Sequence, residues 1–207
     1  MTMRRRSAYA AGLALILVIA PSGGVTEAGQ EKFRETYEAF AVAMGTTNPP
    51  VLPPGVSTTL QINVTRWTTD EERNALFATL IEKGQEGLVG ALQKQEETGF
   101  VRLTGRGAQL TTFPSERLRY ARQMDVDGKR RLVLAMDRPI SFWEAANQPR
   151  WRDYDMTLIV MDVDQEGKGE GQLAMAVRLV VDQEKKTLMI ENFGTEPIRL
   201  TSIRRRD

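Results

Sequence analysis

The side chains best suited to chemistry are concentrated between Arg138 and Arg152. Arg138, Phe142, Trp143, Glu144, Trp151 and Arg152 fall within one long, irregular connection that also holds Pro139 and Pro149. An indole offers apolar area and a stacking face, and a guanidinium offers a forked donor to carboxylate or phosphate. Together they make a recognition pair. Arg119 and Arg122, with Arg117 beside them, lie one hairpin away and add positive charge. A connection of this length in a compact domain is either functional or unstructured, and its aromatics argue against the second. The competing explanation is structural: the aromatics plug one end of a barrel and the arginines pair with Glu144, Asp153 and Asp155.

Two other clusters deserve the same test. Asp162, Asp164 and Glu166 precede Gly167, and oxygen ligands at alternate positions before a glycine are what a sharply turned calcium loop requires. The position that should supply a bidentate glutamate holds Leu173, so a glycine-rich hairpin turn with surface acids explains the pattern better. Glu144 with Asp153, or Asp137 with Asp155, could meet as a hydrolytic carboxylate pair, which needs one carboxyl raised by burial and a fixed separation. The serines beyond residue 28 (Ser57, Ser115, Ser141, Ser202) have no Ser-x-x-Lys or Gly-x-Ser-x-Gly context. The chain contains no Cys and no His. That excludes thiolate nucleophiles, His-based triads, His- or Cys-ligated zinc and disulfides. The residue inventory favours binding over catalysis and implies no cofactor.

The N-terminus has the pattern of an export signal. Arg4, Arg5 and Arg6 precede the apolar run Ala8 to Ala20, Pro21 ends it, and small residues follow, with cleavage sites after Gly24 or Ala28. The run is shorter than the roughly 18–20 apolar residues a bilayer span needs, so membrane contact is expected only through this segment if it stays uncleaved. Losing 1–28 removes three Arg and one Glu and takes the net charge from +1 to −1. A chain this balanced has no electrostatic footprint for nucleic acid. The expected destination is secreted or periplasmic, and the expected partner is a small molecule.

The elements that must position these residues are mostly strands. Residues 29–56 form an N-terminal segment ending in the stiff loop NPPVLPPG. Within it 35–44 fits two patterns, a helical face of Phe33, Tyr37, Phe40 and Met44 or an alternating strand that joins the domain, and the strand is preferred. From 57 to 207 the chain reads as a single β-rich domain. Leu60, Ile62 and Val64 alternate with Gln61, Asn63 and Thr65. Thr69 with Glu72 is a capping box, and Leu76, Phe77, Leu80 and Ile81 form the stripe of a first helix. Gly84 suits its left-handed end, and Leu88, Val89 and Leu92 belong to a second, giving a helical hairpin over 69–95. Leu76, Phe77 and Leu80 are expected to cover the strand at 172–182, where Ala174 and Ala176 allow close approach. Strands at 117–124 and 130–137 flank the Asp127-Gly128 turn. Further strands occupy 156–163, 173–181, 188–193 and 198–203. Eight or nine strands with short links imply a mainly β (α+β) fold: an antiparallel barrel or sandwich with the helical hairpin inserted after an early strand.

Arg66-Trp67-Thr68-Thr69-Asp70, Ala135-Met136-Asp137-Arg138-Pro139-Ile140-Ser141-Phe142-Trp143 and Gly167-Lys168-Gly169-Glu170-Gly171 together resemble an uncharacterised family of secreted bacterial proteins, over about residues 35–204. The resemblance implies export and a bacterial source and carries over no catalytic residue. The sequence therefore supports a binding protein for a small apolar or amphipathic ligand, its pocket at the barrel rim or interior with residues 138–152 at the mouth. Two other readings remain open: a carboxylate-based hydrolase of an envelope or extracellular polymer, and a structural envelope protein that binds other chains through a sheet edge.

Overall fold

A computed structural model describes residues 35–42, 57–104, 115–138, 156–182, 187–192 and 198–206, with backbone alone at 175, 176, 182 and 187–192. In chain order its elements are β1 (Glu35–Val42), β2 (Ser57–Val64), α1 (Asp70–Leu92), β3 (Gly99–Thr104), β4 (Glu116–Leu118), β5 (Tyr120–Val126), β6 (Lys129–Met136), β7 (Met156–Val163), β8 (Lys168–Asp182), β9 (Thr187–Asn192) and β10 (Ile198–Arg206). The strands form one antiparallel sheet in the order β4-β3-β2-β1-β10-β8-β7-β6-β5, and β9 pairs with β8 off that path.

The topology closes the sheet. β4 and β5 stand at opposite ends of the strand order, yet only Arg119 separates them in the chain. The two ends must therefore meet, and the sheet curls into a nearly closed barrel. The Arg119 amide donates to the Ala135 carbonyl at 2.9 Å, and the Thr98 amide donates to the Leu118 carbonyl at 2.9 Å. Thr68 extends the seam: its amide donates to the Ala121 carbonyl at 2.8 Å, and its hydroxyl accepts from the Ala121 amide at 3.0 Å. The expected single strand over 117–124 is thus divided by a bend at Arg119, which takes the strand count to ten.

Alternation puts one face of each strand inside. Tyr37, Leu60, Ile62, Val64, Leu132, Leu134, Ile159 and Met161 are fully buried in one cluster at the barrel's centre. A second cluster lies outside, where Leu76, Leu80, Leu88, Val89 and Leu92 of α1 pack on Ala135, Met156, Leu158 and Val177. β6 and β7 are apolar on both faces around Ala135, Met156 and Leu158, where α1 covers the outer one.

The helix starts where the capping box places it. The Thr69 hydroxyl accepts from the Glu72 amide at 3.2 Å and the Glu72 carboxylate accepts from the Thr69 amide at 2.8 Å. Burial works against the Glu72 charge, but hydrogen bonds from Arg66 and the Thr69 amide outweigh it and hold the carboxyl below its ordinary range. The expected helical hairpin runs as one helix kinked at Gly84, whose φ of 66° leaves the helical region. The buried positions of the helix are Leu76 and Leu80 before the kink and Leu88, Val89 and Leu92 after it. Ile81, expected in the apolar stripe, is 49% exposed, and Phe77 is only half-buried outside the cluster.

Strand β8 holds a second correction. Leu173, Val177, Leu179 and Val181 share a parity that predicts one face. However, Met156 pairs with Val177 and Leu158 with Ala174, so β8 carries a bulge between these positions. The extra residue reverses the facing. Leu173 therefore enters the inner core, whereas Val177, Leu179 and Val181 join the outer one under α1. The Asp127-Gly128 turn forms as expected, with φ of 52° and 74°.

β7 begins at Met156, opposite Val177, and β8 continues past it with that edge uncovered by β7. The side chain of Gln85, just after the kink, occupies the place of a strand there. Its amide nitrogen donates to the Val177 carbonyl at 2.9 Å and its oxygen accepts from the Leu179 amide at 2.6 Å. Gln85→Ala strands both backbone groups and should cost about 1–3 kcal/mol. Gln85→Glu keeps only the acceptor and should fall between the two. Urea unfolding of the three proteins measures this ranking.

Candidate functional site

Of the residues singled out between 138 and 152, Phe142, Trp143, Glu144, Trp151 and Arg152 lie outside the described residues, as do Asp153 and Asp155. Arg138 stands at the foot of that connection. The structure brings Arg119 and Arg138 together on Asp137, which is only 7% exposed. Arg119 Nε donates to Asp137 Oδ2 at 3.3 Å and Arg119 Nη1 to the Gln95 carbonyl at 3.0 Å. Arg138 Nε lies 3.6 Å from Asp137 Oδ1 and 3.4 Å from Glu116 Oε2. Burial raises the Glu116 carboxyl, with Arg138 opposing and Asp137 adding to the rise. Arg122 goes elsewhere, to the Thr68 carbonyl at 3.2 Å and the Asp70 carboxylate at the helix start. All three described arginines are committed to partners within the fold.

Two acids of the 162–167 turn, Asp162 and Asp164, are engaged as well. Arg131 grips Asp162 through two bonds of 2.6 and 2.7 Å, and that bond to Asp162 raises the Arg131 guanidinium further. Asp164 closes the turn, its carboxylate accepting from the Lys168 amide at 2.8 Å and its own amide donating to the Lys168 carbonyl at 2.8 Å. Glu166 is exposed.

One end of the barrel interior is closed by a polar network. The Tyr37 hydroxyl donates to Glu35 at 2.7 Å, and Arg130 Nη2 bonds both Glu35 oxygens at 2.9 and 2.8 Å. Arg130 also donates to Gln123 Oε1 at 2.6 Å and lies 5.4 Å from the centroid of the Trp67 ring. Burial, then the bond to Glu35, pushes the Tyr37 phenol far above its ordinary range, so it serves as a neutral donor. The described interior is thus filled by side chains.

Space for a ligand lies outside the sheet. A groove of about 1010 Å³ runs over the outer faces of β6, β7, β8 and β10, beside the part of that face covered by α1. The strand registers arrange its lining in rows. Nearest the 127–128 and 164–167 turns stand Lys129 and the paired positions Lys168 and Arg204. Arg131, Asp162 and Glu170 form the next row, then Val160, Gln172 and Arg199. Leu158 and Ala174 form the last row, against the helix cluster. The rows pass from charged to apolar over about 20 Å, for six residues of strand rise.

Among the described residues, no ion pair joins Lys129, Lys168, Arg199 or Arg204. By contrast Arg66, Arg119, Arg122, Arg130 and Arg131 are each held in an ion pair. Sequence reasoning missed this site because its signal is spread over four strands. The recoverable part is that outward positions turn charged at the same end of each hairpin. No family model, no curated protein and no solved structure matches the chain.

The Asp137 corner gives a test of its structural role. Asp137→Ala removes a carboxylate from a guanidinium only 14% exposed and should cost about 3 kcal/mol or more. Glu116→Gln should do the opposite at pH 7. A carboxyl raised by folding binds its proton more tightly folded than unfolded, so its charge weakens the fold as pH rises through the raised range. The gain from Glu116→Gln should shrink as pH falls through that range. Thermal unfolding of both variants across the acid range checks the two signs.

Proposed function

We propose that this chain is an exported, non-enzymatic binding domain that carries a small amphipathic ligand in the outer groove. The observation that carries the reading is the row order of that groove: Lys129, Lys168 and Arg204, which form no ion pair among the described residues, at the turn end, and Leu158 and Ala174 at the end beside α1. An amphiphile laid along the strands would meet both halves in order, its polar group among the charges and its apolar part on the floor. The filled interior favours this position over the barrel axis. The pattern of residues 1–28 and the resemblance to a secreted bacterial family support export.

Native mass spectrometry of freshly purified protein should show a retained small molecule. Ala174→Trp, which fills the floor, should abolish retention, while Leu134→Ala in the inner core should leave retention intact at reduced stability. Retention unaffected by Ala174→Trp would place the ligand elsewhere. The intact mass of the exported protein should correspond to a chain beginning at Val25 or Gly29; a mass including Met1 would end the cleavage reading.

A further inference from the structure

The groove is lined by one residue of unusual backbone conformation. Ser202 has a φ of 51°, a left-handed conformation that costs a non-glycine residue energy, and it lines the groove. It sits in a β-bulge of β10. Leu200 pairs with Gly171 and Ile203 with Gly169, so Thr201 and Ser202 together oppose Glu170 alone. The consequence is one of parity. Arg199 and Arg204 are five residues apart and would face opposite sides of a regular strand. The extra residue sends Ile198, Leu200 and Ile203 into the core and puts both arginines on the outer face, with the Ser202 hydroxyl between them. Lys168, paired with Arg204, completes a cationic pocket whose members have no ion pair among the described residues.

Resting on the groove reading above, we infer that Arg199, Ser202, Arg204 and Lys168 form an anion subsite that recognises the carboxylate, phosphate or sulfate head of the amphiphile. Guanidinium groups bind such oxyanions through charge-assisted, forked hydrogen bonds, and a serine hydroxyl adds a neutral donor. Glu170, opposite the bulge, is the opposing charge in the same row. It tunes the subsite towards weaker binding, so its removal should tighten the complex.

Calorimetric titration with decyl phosphate, decyl maltoside and inorganic phosphate tests this. Decyl phosphate should bind best, and Arg199→Gln with Arg204→Gln should weaken it at least tenfold while leaving decyl maltoside unchanged. Glu170→Gln should strengthen it. Ser202→Gly should raise Tm by relieving the positive φ and still weaken decyl phosphate, which separates recognition from folding. Equal binding of the phosphate and maltoside amphiphiles, indifferent to the arginine substitutions, would overturn the anion subsite and leave the groove reading standing. Inorganic phosphate binding as tightly as decyl phosphate would uphold the subsite and remove the amphiphile. No binding by any of the three would overturn both.

Discussion

The architecture depends on one strand that serves both ends of the sheet. Residues 116–118 pair with β3 and residues 120–126 with β6, and the bend between them is held by the Arg119 amide on Ala135 and the Arg119 side chain on Asp137. An open sheet would expose two rows of unpaired backbone groups at its ends, each a template for unwanted pairing. Here the shared strand joins the two ends, and the Thr68 bonds to Ala121 extend the seam towards the helix. Once closed, the barrel is filled by its own inward side chains, so the helix between β2 and β3 has to pack outside. Its apolar stripe finds Ala135, Met156, Leu158 and Val177. The division of the outer face into a covered apolar part and an open charged part follows from that placement.

A chain without cysteine has to hold its fold by packing and hydrogen bonding. It does so with two cores that share strands: β6, β7 and β8 contribute to the inner cluster with one set of side chains and to the outer cluster with the other. Loss of the helix would therefore expose the backs of the same strands that build the barrel's centre. Gln85 addresses the residual weakness of this design, since β8 outruns β7 and needs hydrogen-bond partners on that edge.

Local signals in the sequence correspond to local structure. The Thr69–Glu72 box, the Asp127-Gly128 turn and the alternation of Leu60, Ile62 and Val64 are each set by contacts within a few residues, and each was readable. What was not readable depends on partners far along the chain. Arg117 to Met124 has the pattern of one strand, and its division at Arg119 arises only because β3 and β6 compete for its two halves. Leu173 and Val177 share a parity, and only the register against β7 reveals that they face opposite cores. The arginines nearest the 138–152 connection had the right types for a ligand site, but in Arg119 and Arg138 the charge is used at the seam. A type and a spacing identify what a residue is able to do; the competing demand of the fold decides whether it is free to do it.

That competition gives the two bulges a common logic. A regular strand has a single inward set and a single outward set, which suits a barrel but leaves no freedom over which outward residues gather. The bulge in β8 turns Val177, Leu179 and Val181 outward to meet the helix, where an unbroken strand would have continued the parity of Leu173. The bulge in β10 keeps Ile203 inside while turning Arg199 and Arg204 to the same side, at the cost of a strained Ser202. The first has an evident return in buried apolar area, because the residues it turns outward are covered by α1. The second returns no burial outside, since Arg199, Ser202 and Arg204 are all exposed. The strain at Ser202 thus secures the burial of Ile203 and, by the same shift, gathers Arg199 and Arg204, which form no ion pair among the described residues, on one exposed face beside an apolar floor.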